Sequence, residues 1–342
     1  MRTILIEAKN ENDEAGIARA GEILRAGGLV AIPTETVYGL AANALDPAAV
    51  NRIFAAKGRP GDNPLIVHVA AFDEIRPLVT RIGKKAEKLA SLFWPGPLTI
   101  ILPKSAAVPG EVSAGLGTVA LRMPSHRVAA AIIKAAGVPL AAPSANVSGR
   151  PSPTNAQHVL ADLDGRIDAV VDAGPCSIGV ESTVISLASN VPCLLRPGAV
   201  TLRQLEEAVG AVDISPAVFA DAGSGQQVMS PGMKYRHYSP KARVIILRGS
   251  LERFIDYVGA HCCEGDAVLC FEGEKELMPL PAVTFGREDK AQEQAKRLFQ
   301  ALREADELPA QRVFARCPGS DGLGLAVYNR LLRAAGFEVV EL

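Results

Sequence analysis

The chain has 342 residues, of which 48% are hydrophobic and 21% charged, and its formal net charge is −1. This length and composition favour two domains with substantial cores. The near-neutral charge argues against a protein whose main function is to coat nucleic acid, because affinity for the phosphate backbone needs a basic face. No apolar run is long enough to cross a bilayer, and the first residues are unlike a secretory signal. We therefore expect a cytoplasmic protein that does not act at a membrane.

Helical and strand patterns alternate along the first 210 residues. Apolar residues at helical spacing predict helices at 13–26, 47–56, 84–93, 127–136, 155–163 and 202–209. Short apolar runs bounded by Gly, Pro or polar residues predict strands at 29–32, 65–69, 98–102, 118–121, 139–142, 169–171 and 182–186. This alternation predicts an α/β domain at 1–210, built on an open, twisted mixed sheet with helices.

The pattern breaks down at 211–241, where Gly, Ser, Pro and polar residues dominate. We interpret this segment as an interdomain linker. A second alternation follows, with predicted strands at 244–247, 267–271 and 311–315 and predicted helices at 251–260, 290–306 and 323–335. Such regular βα alternation predicts a smaller, Rossmann-like α/β domain with a parallel sheet at 242–342.

The strongest chemical signal lies at 57–68, where a Gly- and Pro-rich loop runs directly into an apolar strand. The loop carries the cations Lys57 and Arg59 and the carboxamide of Asn63. Lysine supplies a point charge and arginine a planar fork, and both suit phosphate or carboxylate. The sequence therefore predicts an anion site here. The alternative is a solvent-exposed basic turn, since exposed Lys and Arg are the norm.

A second loop, residues 33–40, follows a predicted strand and carries two hydroxyls, a carboxylate and a phenol before a glycine. Hydroxyls such as those of Thr34 and Thr36, together with backbone groups, can bind a small polar substrate at the edge of a sheet. The alternative is a capping box, in which one of these threonines begins a helix.

Two further strand ends carry polar groups. Arg122 ends a strand just before a proline, which suits bidentate binding of a carboxylate, although a surface ion pair is the alternative. The loop at 142–149, with Ser144 and Asn146 and with Ser152 beyond it, offers neutral donors to phosphate oxygens. Its alternative is a turn whose side chains cap their own backbone. Weaker signals are the turn at 179–184 and a second strand-terminal arginine, Arg196.

In this order and with these neighbours, the segments resemble the YrdC-like family of threonylcarbamoyl-AMP synthases, in its long, two-domain form. The resemblance covers 33–198 and resumes at 230–240 with Ser-Pro-Gly-Met-Lys-Tyr-Arg-His-Tyr-Ser-Pro. It implies a nucleotidyltransferase that makes L-threonylcarbamoyl-AMP from L-threonine, bicarbonate or carbon dioxide, and ATP, with release of diphosphate. The product would pass to a separate transferase complex that modifies the adenosine beside the anticodon in tRNAs reading codons that start with A. Direct binding of tRNA would be weak at most.

The resemblance also implies roles for individual residues. The residues expected to bind ATP are Lys57, Arg59, Asn63, Ser144, Asn146, Ser152, Arg196, Tyr235 and His237, and four of them, Lys57, Arg59, Ser144 and Asn146, are expected to be catalytic. The residues expected to bind L-threonine are Thr34, Thr36, His68, Arg122, Ala142 and Ser182. Mg²⁺ would be held by the ATP phosphates and by no protein side chain, and no organic cofactor is implied. The basic segment at 234–237 would form a lid over the nucleotide, or else a linker without catalytic duty.

Three other classes of protein compete with this interpretation. An RNA-binding module would show strongly salt-dependent affinity for RNA without ATP. A carbamoyl-transfer enzyme of the hydrogenase-maturation type would carry zinc-finger cysteine pairs, whereas the six cysteines of this chain include no Cys-x-x-Cys pair. A regulatory protein that binds ATP or an amino acid would show no turnover.

Overall fold

The computed structural model describes residues 2–220 and 238–342. The described residues contain ten α-helices, which are α1 (Glu14–Arg25), α2 (Pro47–Lys57), α3 (Lys84–Phe93), α4 (Gly110–Ser113), α5 (Arg127–Ala136), α6 (Ala156–Leu163), α7 (Leu202–Val209), α8 (Leu251–His261), α9 (Ala291–Glu307) and α10 (Gly324–Ala334). Within the same ranges, no helix combines the length and the apolar composition that a membrane span requires.

The strands form two separate sheets. Eleven belong to the first sheet: β1 (Ile4–Glu7), β2 (Val30–Ile32), β3 (Gly39–Asn43), β4 (Ile66–His68), β5 (Leu98–Pro103), β6 (Thr118–Arg122), β7 (Leu140–Ala141), β8 (Ala169–Asp172), β9 (Thr183–Ser186), β10 (Cys193–Arg196) and β11 (Asp213–Ile214). Five belong to the second: β12 (Arg243–Arg248), β13 (Asp266–Cys270), β14 (Ala282–Thr284), β15 (Arg312–Arg316) and β16 (Val339–Glu341). The parts of the chain built on these sheets are called the first and second domains below.

The first sheet is mixed, with the order β1-β8-β2-β3-β7-β4-β6-β5-β9-β10-β11. Its central strands bring several strand ends to the same place. In particular, β4 pairs in parallel with β6, so that His68 lies opposite Arg122. The second sheet has the order β14-β13-β15-β12-β16, and its neighbouring strands are all parallel. The predicted α/β fold, with one mixed sheet and one smaller Rossmann-like parallel sheet, is confirmed.

Helix α2 shows how local sequence positions the predicted anion loop. The Asp46 side chain caps the backbone N–H of Ala48, and Pro47 occupies the first turn, where its missing N–H costs nothing. The helix ends at Gly58, whose φ of 61° lies in the left-handed region that glycine adopts without strain. Lys57 is therefore the last helical residue and the chain turns sharply before Arg59.

The two domains share packing as well as a chain. One apolar core joins the first sheet to its helices. The core of the second domain includes Val37 and Val180 from loops of the first domain, together with Tyr238. Burial of apolar side chains is the main favourable contribution to such contacts, at about 25 cal/mol per Å². These loops are therefore held by the cores of both domains.

Most predicted elements appear within one or two residues of their expected bounds, and those at 84–93, 127–136 and 202–209 coincide with α3, α5 and α7. Strands β1, β3, β11, β14 and β16 were not predicted, and β10 was anticipated only through the strand-terminal Arg196. β3 has the sequence Gly-Leu-Ala-Ala-Asn, which is poor in β-branched residues, so its strand conformation is set by pairing with β2 and β7. Within the predicted linker, Asp213–Ile214 extends the first sheet and 221–237 lie outside the described residues. The domain boundaries at 210 and 241 stay predictions.

Candidate active site

A cleft in the first domain collects residues from strand ends, loops and a helix end. The predicted residues that line it are Thr34, Thr36, Lys57, Arg59, His68, Arg122, Ala142, Ser144, Asn146, Ser182 and Arg196. Asn63 and Ser152 are fully buried and do not line the cleft. Tyr235 and His237, with the predicted lid at 234–237, lie outside the described residues. The structure thus brings together eleven residues that are up to 162 positions apart in sequence.

Lys57 is buried at the end of α2, and its amine points at the loop that follows β7. It donates to the carbonyl oxygens of Ser144 and of Asn146, the latter at 2.6 Å. Burial and then the nearby charge of Arg59 hold the pKa of Lys57 well below its usual value. An anionic ligand at this position would favour the charged amine, so the electrostatics suit a phosphate.

Arg59 follows the turn at Gly58 and is also buried. Its guanidinium donates to the carbonyl oxygen of Asn63 at 3.0 Å and lies 5.9 Å from the centre of the Phe54 ring. These contacts fix the planar fork beside Lys57. The amide of Asn63, by contrast, is buried without a hydrogen bond to any described residue. A buried unpaired amide is costly, and both polar atoms of the Asn63 side chain keep hydrogen-bonding capacity within the described residues.

Arg122, at the end of β6, faces a buried carboxylate. Its Nη2 lies 2.7 Å from Glu35 Oε1, and both side chains are at most 7% exposed. Nη2 and Oε1 therefore form a buried salt bridge beside the cleft. Burial disfavours the Glu35 carboxylate, but the charge of Arg122 and the hydrogen bonds from Arg122 and from backbone groups together lower the pKa of Glu35. This is a buried pair and not the surface pair that was the alternative.

His68 lies beside Arg122 on the neighbouring strand β4. Its Nδ1 is 3.2 Å from the carbonyl oxygen of Ile66. Burial and then the positive charge of Arg122 lower the pKa of His68 to about 3. The imidazole is therefore neutral at physiological pH, and it can both donate and accept a hydrogen bond at the cleft wall.

Ser182 and Arg196 touch each other, although the sequence assigns them to different substrates. Arg196 donates through Nε to the Ser182 carbonyl at 3.0 Å and through Nη2 to the Ser182 hydroxyl at 3.1 Å. The same hydroxyl is 2.8 Å from Thr99 Oγ1. Burial and then the charge of Arg330 lower the pKa of Arg196 to about 10, so it stays a cation at neutral pH. The predicted amino-acid side and the predicted phosphate side of the cleft meet at this contact.

The remaining two loops decide between the alternatives stated above. Thr34 Oγ1 accepts from the N–H groups of Thr36 and Val37, which forms a tight turn, and β3 follows instead of a helix. The capping-box alternative is therefore wrong. In the loop after β7, the Asn146 amide donates to the carbonyls of Val147 and Arg150 at 2.9 and 2.8 Å. This side chain does cap its own turn, as the alternative for that loop proposed, and it lines the cleft as well.

Comparison with known proteins places the whole chain. Residues 22–198 match the family described as "Telomere recombination", and residues 200–336 match the "Threonylcarbamoyl-AMP synthase, C-terminal domain". A threonylcarbamoyl-AMP synthase of Pyrococcus abyssi is 46% identical over 343 residues, which cover 99% of this chain and 100% of that protein. One of Bacillus subtilis is 45% identical, with coverage of 95% and 94%. The chain belongs to the threonylcarbamoyl-AMP synthase family.

The solved structures agree with the sequences. The crystal structure of P. abyssi Sua5 complexed with L-threonine matches with a TM-score of 0.94 at 44% identity, over 99% of this chain and 100% of that one. The resemblance predicted from 33–198 and 230–240 is therefore confirmed, and so is the expectation of an ATP-utilising enzyme. Membership of the threonylcarbamoyl-AMP synthase family argues against the three competing classes.

Three ionisable residues at or directly behind the cleft were not predicted as site residues. Glu181 and Tyr238 line the cleft, and Glu35 holds Arg122 behind it. Glu35 and Glu181 each stand one position before a predicted residue, Thr36 and Ser182. Carboxylates in the middle of substrate loops were the available signal. Their arginine partners are 87 and 149 positions away, and no sequence pattern identifies such pairs.

Proposed function

We propose that the cleft binds L-threonine and ATP side by side and joins them, through a carboxyl unit, into L-threonylcarbamoyl-AMP. The observation that carries this proposal is the contact between Ser182 and Arg196. At this contact the two sides of one cleft meet. One side carries Arg122, whose fork suits a carboxylate, and the other carries the cations Lys57 and Arg59, which suit phosphates. A site of this kind suits the condensation of an amino acid with a nucleotide better than it suits the binding of an amino acid alone or of a nucleotide alone.

On the amino-acid side, Arg122 receives the threonine carboxylate. The position of Arg122 in the cleft lining, where Glu35 holds it, supports this role, because a planar guanidinium binds carboxylates bidentately. Thr34, Thr36, His68 and Ser182 offer hydroxyl, imidazole and backbone groups to the hydroxyl and the amine of threonine, and the backbone of Ala142 closes this side. Neutral His68 can accept a hydrogen bond from the ammonium group, which a protonated imidazole would repel.

On the nucleotide side, Lys57, Arg59 and Arg196 neutralise the triphosphate. Ser144 and Asn146 add neutral donors from the loop after β7. Tyr235 and His237, which lie outside the described residues, stay predicted to bind ATP. Asn63 and Ser152 act behind the wall. Asn63 supplies the carbonyl that holds Arg59, and Ser152 donates its hydroxyl to Glu181.

The reaction begins when the amine of threonine, in its neutral form, attacks the carbon of carbon dioxide or bicarbonate. A C–N bond forms, and a proton leaves with carbon dioxide or water leaves with bicarbonate, which gives the carbamate. A carbamate oxygen then attacks the α-phosphorus of ATP in line, forming a P–O bond as the bond to the β-phosphate oxygen breaks and diphosphate leaves. Such a transfer needs positioning and charge stabilisation more than covalent help. Lys57 and Arg59 would stabilise the charge that develops on the phosphoryl oxygens, a type of contribution worth about 10²–10³-fold in rate.

Mg²⁺ enters this scheme as part of the ATP substrate. The described residues include no cluster of three or more His, Cys, Asp or Glu side chains suited to a metal ion. Glu181, the carboxylate that lines the described cleft, is already engaged by Ser152 and Arg330. The described side chains of the cleft therefore do not fit a resident metal, and no step is assigned to one.

The product is a reactive mixed anhydride that a tRNA-modifying transferase complex would consume in the cytoplasm. The near-neutral net charge of −1 supports hand-over to such a partner with weak direct binding of tRNA at most. Salt-dependent binding of tRNA in the absence of ATP would contradict this part of the proposal.

Diphosphate release from ATP tests the central claim. We expect release that requires both L-threonine and bicarbonate, with formation of threonylcarbamoyl-AMP detected by mass spectrometry. D-threonine is the matched control, because it presents the same groups with the wrong chirality. Release that ignores L-threonine would contradict the proposal, and binding of both ligands without release would indicate a regulatory protein.

The roles of the cations are tested by Arg59→Ala, with Arg52→Ala as its control in α2, the helix that precedes Arg59. Arg52 forms a half-exposed pair with Asp168 and does not line the cleft. We expect kcat to fall about 10²–10³-fold for Arg59→Ala and to change little for Arg52→Ala. Near-normal diphosphate release by Arg59→Ala would refute the role assigned to this residue.

A further inference from the structure

Arg330, in α10 of the second domain, reaches into the first domain. It is the largest side chain that is fully buried among the described residues. Its Nε donates to Glu181 Oε2 at 2.9 Å and its Nη2 to the Glu181 carbonyl at 3.2 Å. Its Nη1 donates to the Pro197 carbonyl at 2.7 Å and to Asn329 Oδ1 at 3.1 Å. Charged side chains are almost never buried this fully unless they are paired, and here most of the partners belong to the first domain.

The partners of Arg330 in the first domain stand next to residues of the cleft. Glu181 lines the cleft and precedes Ser182, and Pro197 follows Arg196. Arg196 in turn donates to the carbonyl and the hydroxyl of Ser182. One guanidinium of the second domain therefore holds the backbone on both sides of the contact at which the two substrate sides meet.

The loop before β9 depends on the second domain at three consecutive positions. Gly179 has φ of +89°, and a Cβ there would lie 2.5 Å from the carbonyl oxygen of Ala295 in α9. Val180 is fully buried in the core of the second domain. Glu181 is bound by Arg330, and the fourth residue, Ser182, faces the cleft. The wall that carries Ser182 is thus shaped by the second domain.

A second arginine joins the domains at a different place. Arg303, in α9, donates to Asp162 Oδ2 at 2.8 Å and to the Pro151 carbonyl at 2.6 Å. Neither partner lines the cleft. Arg303 therefore joins the domains without a direct hydrogen bond to a residue that lines the cleft, whereas Arg330 bonds Glu181, which does line it.

We propose that Arg330 is a positioning residue, through which the second domain sets Ser182 and Arg196 for the two substrates by way of Glu181 and Pro197. The inference rests on the proposed function and gives the second domain a purpose in it. Positioning of reacting groups supplies a large part of catalysis, and a misplacement of about 1 Å can cost about 10²-fold in rate. Loss of Arg330 would let both residues move while every group that touches substrate stays present.

Steady-state kinetics of Arg330→Met and Arg303→Met test this inference. Diphosphate release is measured with L-threonine and ATP varied in turn, at a temperature well below both melting temperatures. We expect kcat/KM for L-threonine to fall about 10–10²-fold in Arg330→Met and to stay within about 3-fold of the wild type in Arg303→Met. Both variants lose a buried interdomain pair, so lower melting temperatures are expected in both. Equal losses of kcat/KM in the two variants, or an unchanged kcat/KM in Arg330→Met, would overturn the proposal.

Arg330→Lys supplies a second comparison. Lysine keeps the charge beside Glu181 but lacks the fork that also reaches Pro197, so a loss between those of the wild type and Arg330→Met is expected. If Arg330→Met does not fold, Arg330→Lys against Arg303→Lys decides by the same criterion. A wild-type protein without threonine-dependent release would contradict the proposed function instead. Calorimetric affinity for L-threonine would then decide, since weaker binding in the Arg330 variants supports positioning and equal binding overturns it.

Discussion

Arg122 and Arg316 are both buried arginines at strand ends, and their surroundings differ. In the second domain, Arg316 donates through Nε to Glu274, through Nη1 to the Gly249 carbonyl and through Nη2 to Glu288. It also lies 5.2 Å from the centre of the Phe271 ring. In the first domain, Arg122 has a long contact of 3.4 Å to the Gly96 carbonyl, and its Nη2 lies 2.7 Å from Glu35 Oε1.

This difference in surroundings distinguishes an arginine with a structural role from one with a functional role. Arg316 uses all its nitrogens within its own domain and does not line the cleft, so it stabilises that domain. Arg122 lines the cleft and is therefore suited to a ligand. By this criterion the first domain holds the reactive site, although both sheets end in a buried arginine.

Arg316→Met tests the structural half of this comparison and has the largest expected effect. It leaves Glu274 buried without its cation, so the free energy of unfolding should fall by about 3–5 kcal/mol. Denaturant unfolding measures this change. The folded variant should keep kcat/KM for L-threonine within about 3-fold of the wild type, and a selective loss of activity at unchanged stability would break the comparison.

Arg122→Met tests the functional half. We expect kcat/KM for L-threonine to fall about 10²–10³-fold, because the substrate carboxylate loses its bidentate partner. Threonine-dependent diphosphate release measures it. Arg122→Lys, which keeps the charge and loses the fork, should recover part of the activity. Full activity in Arg122→Met would show that Arg122 does not bind the substrate carboxylate.

His68→Gln extends the comparison to pH, with His261→Gln as control, since His261 is exposed in the second domain. The pKa of His68 is lowered to about 3 by burial and Arg122, against about 6.5 in the unfolded chain. The unfolded state therefore binds the extra proton between these values, and the free energy of unfolding should decrease as pH falls through this window. The slope contributed by His68 is at most about 1.4 kcal/mol per pH unit.

Denaturant unfolding of both histidine variants at about pH 7, 6 and 5 measures this slope. We expect His68→Gln to flatten the dependence on pH and His261→Gln to leave it as in the wild type. A wild-type slope in His68→Gln would show that this imidazole is protonated in the folded protein.

Arg203→Gln has the smallest expected effect on stability and activity. Arg203 pairs with Glu207 on the surface of α7 and is 88% exposed. Exposed pairs of this kind contribute about 0.3–0.5 kcal/mol, so both stability and activity should stay close to those of the wild type. A loss above about 1 kcal/mol would show that charge pairing alone, and not burial, governs the arginines of this protein.

The features that could be predicted from the sequence are those controlled by residues close to one another in the chain. The left-handed turn at Gly58 and the Asp46 cap define α2, and the order of the polar loops identified eleven residues of one cleft. Contacts across long sequence distances were not predictable. Arg330 and Glu181 meet through the docking of two domains, and β3 is a strand because its neighbours offer it partners. Neither fact has a signature in the residues that surround it.

The amine of Lys57 has further consequences for the loop after β7. Two of its donors serve the carbonyls of Ser144 and Asn146, and it lies 3.5 Å from Asn146 Oδ1. An ammonium group has three donors, so a phosphate oxygen has to compete with this loop for them. Binding of the nucleotide and the conformation of this loop therefore depend on the same hydrogen-bond donors of Lys57. A substitution at Lys57 consequently reports on the position of the loop as much as on the charge facing the phosphates.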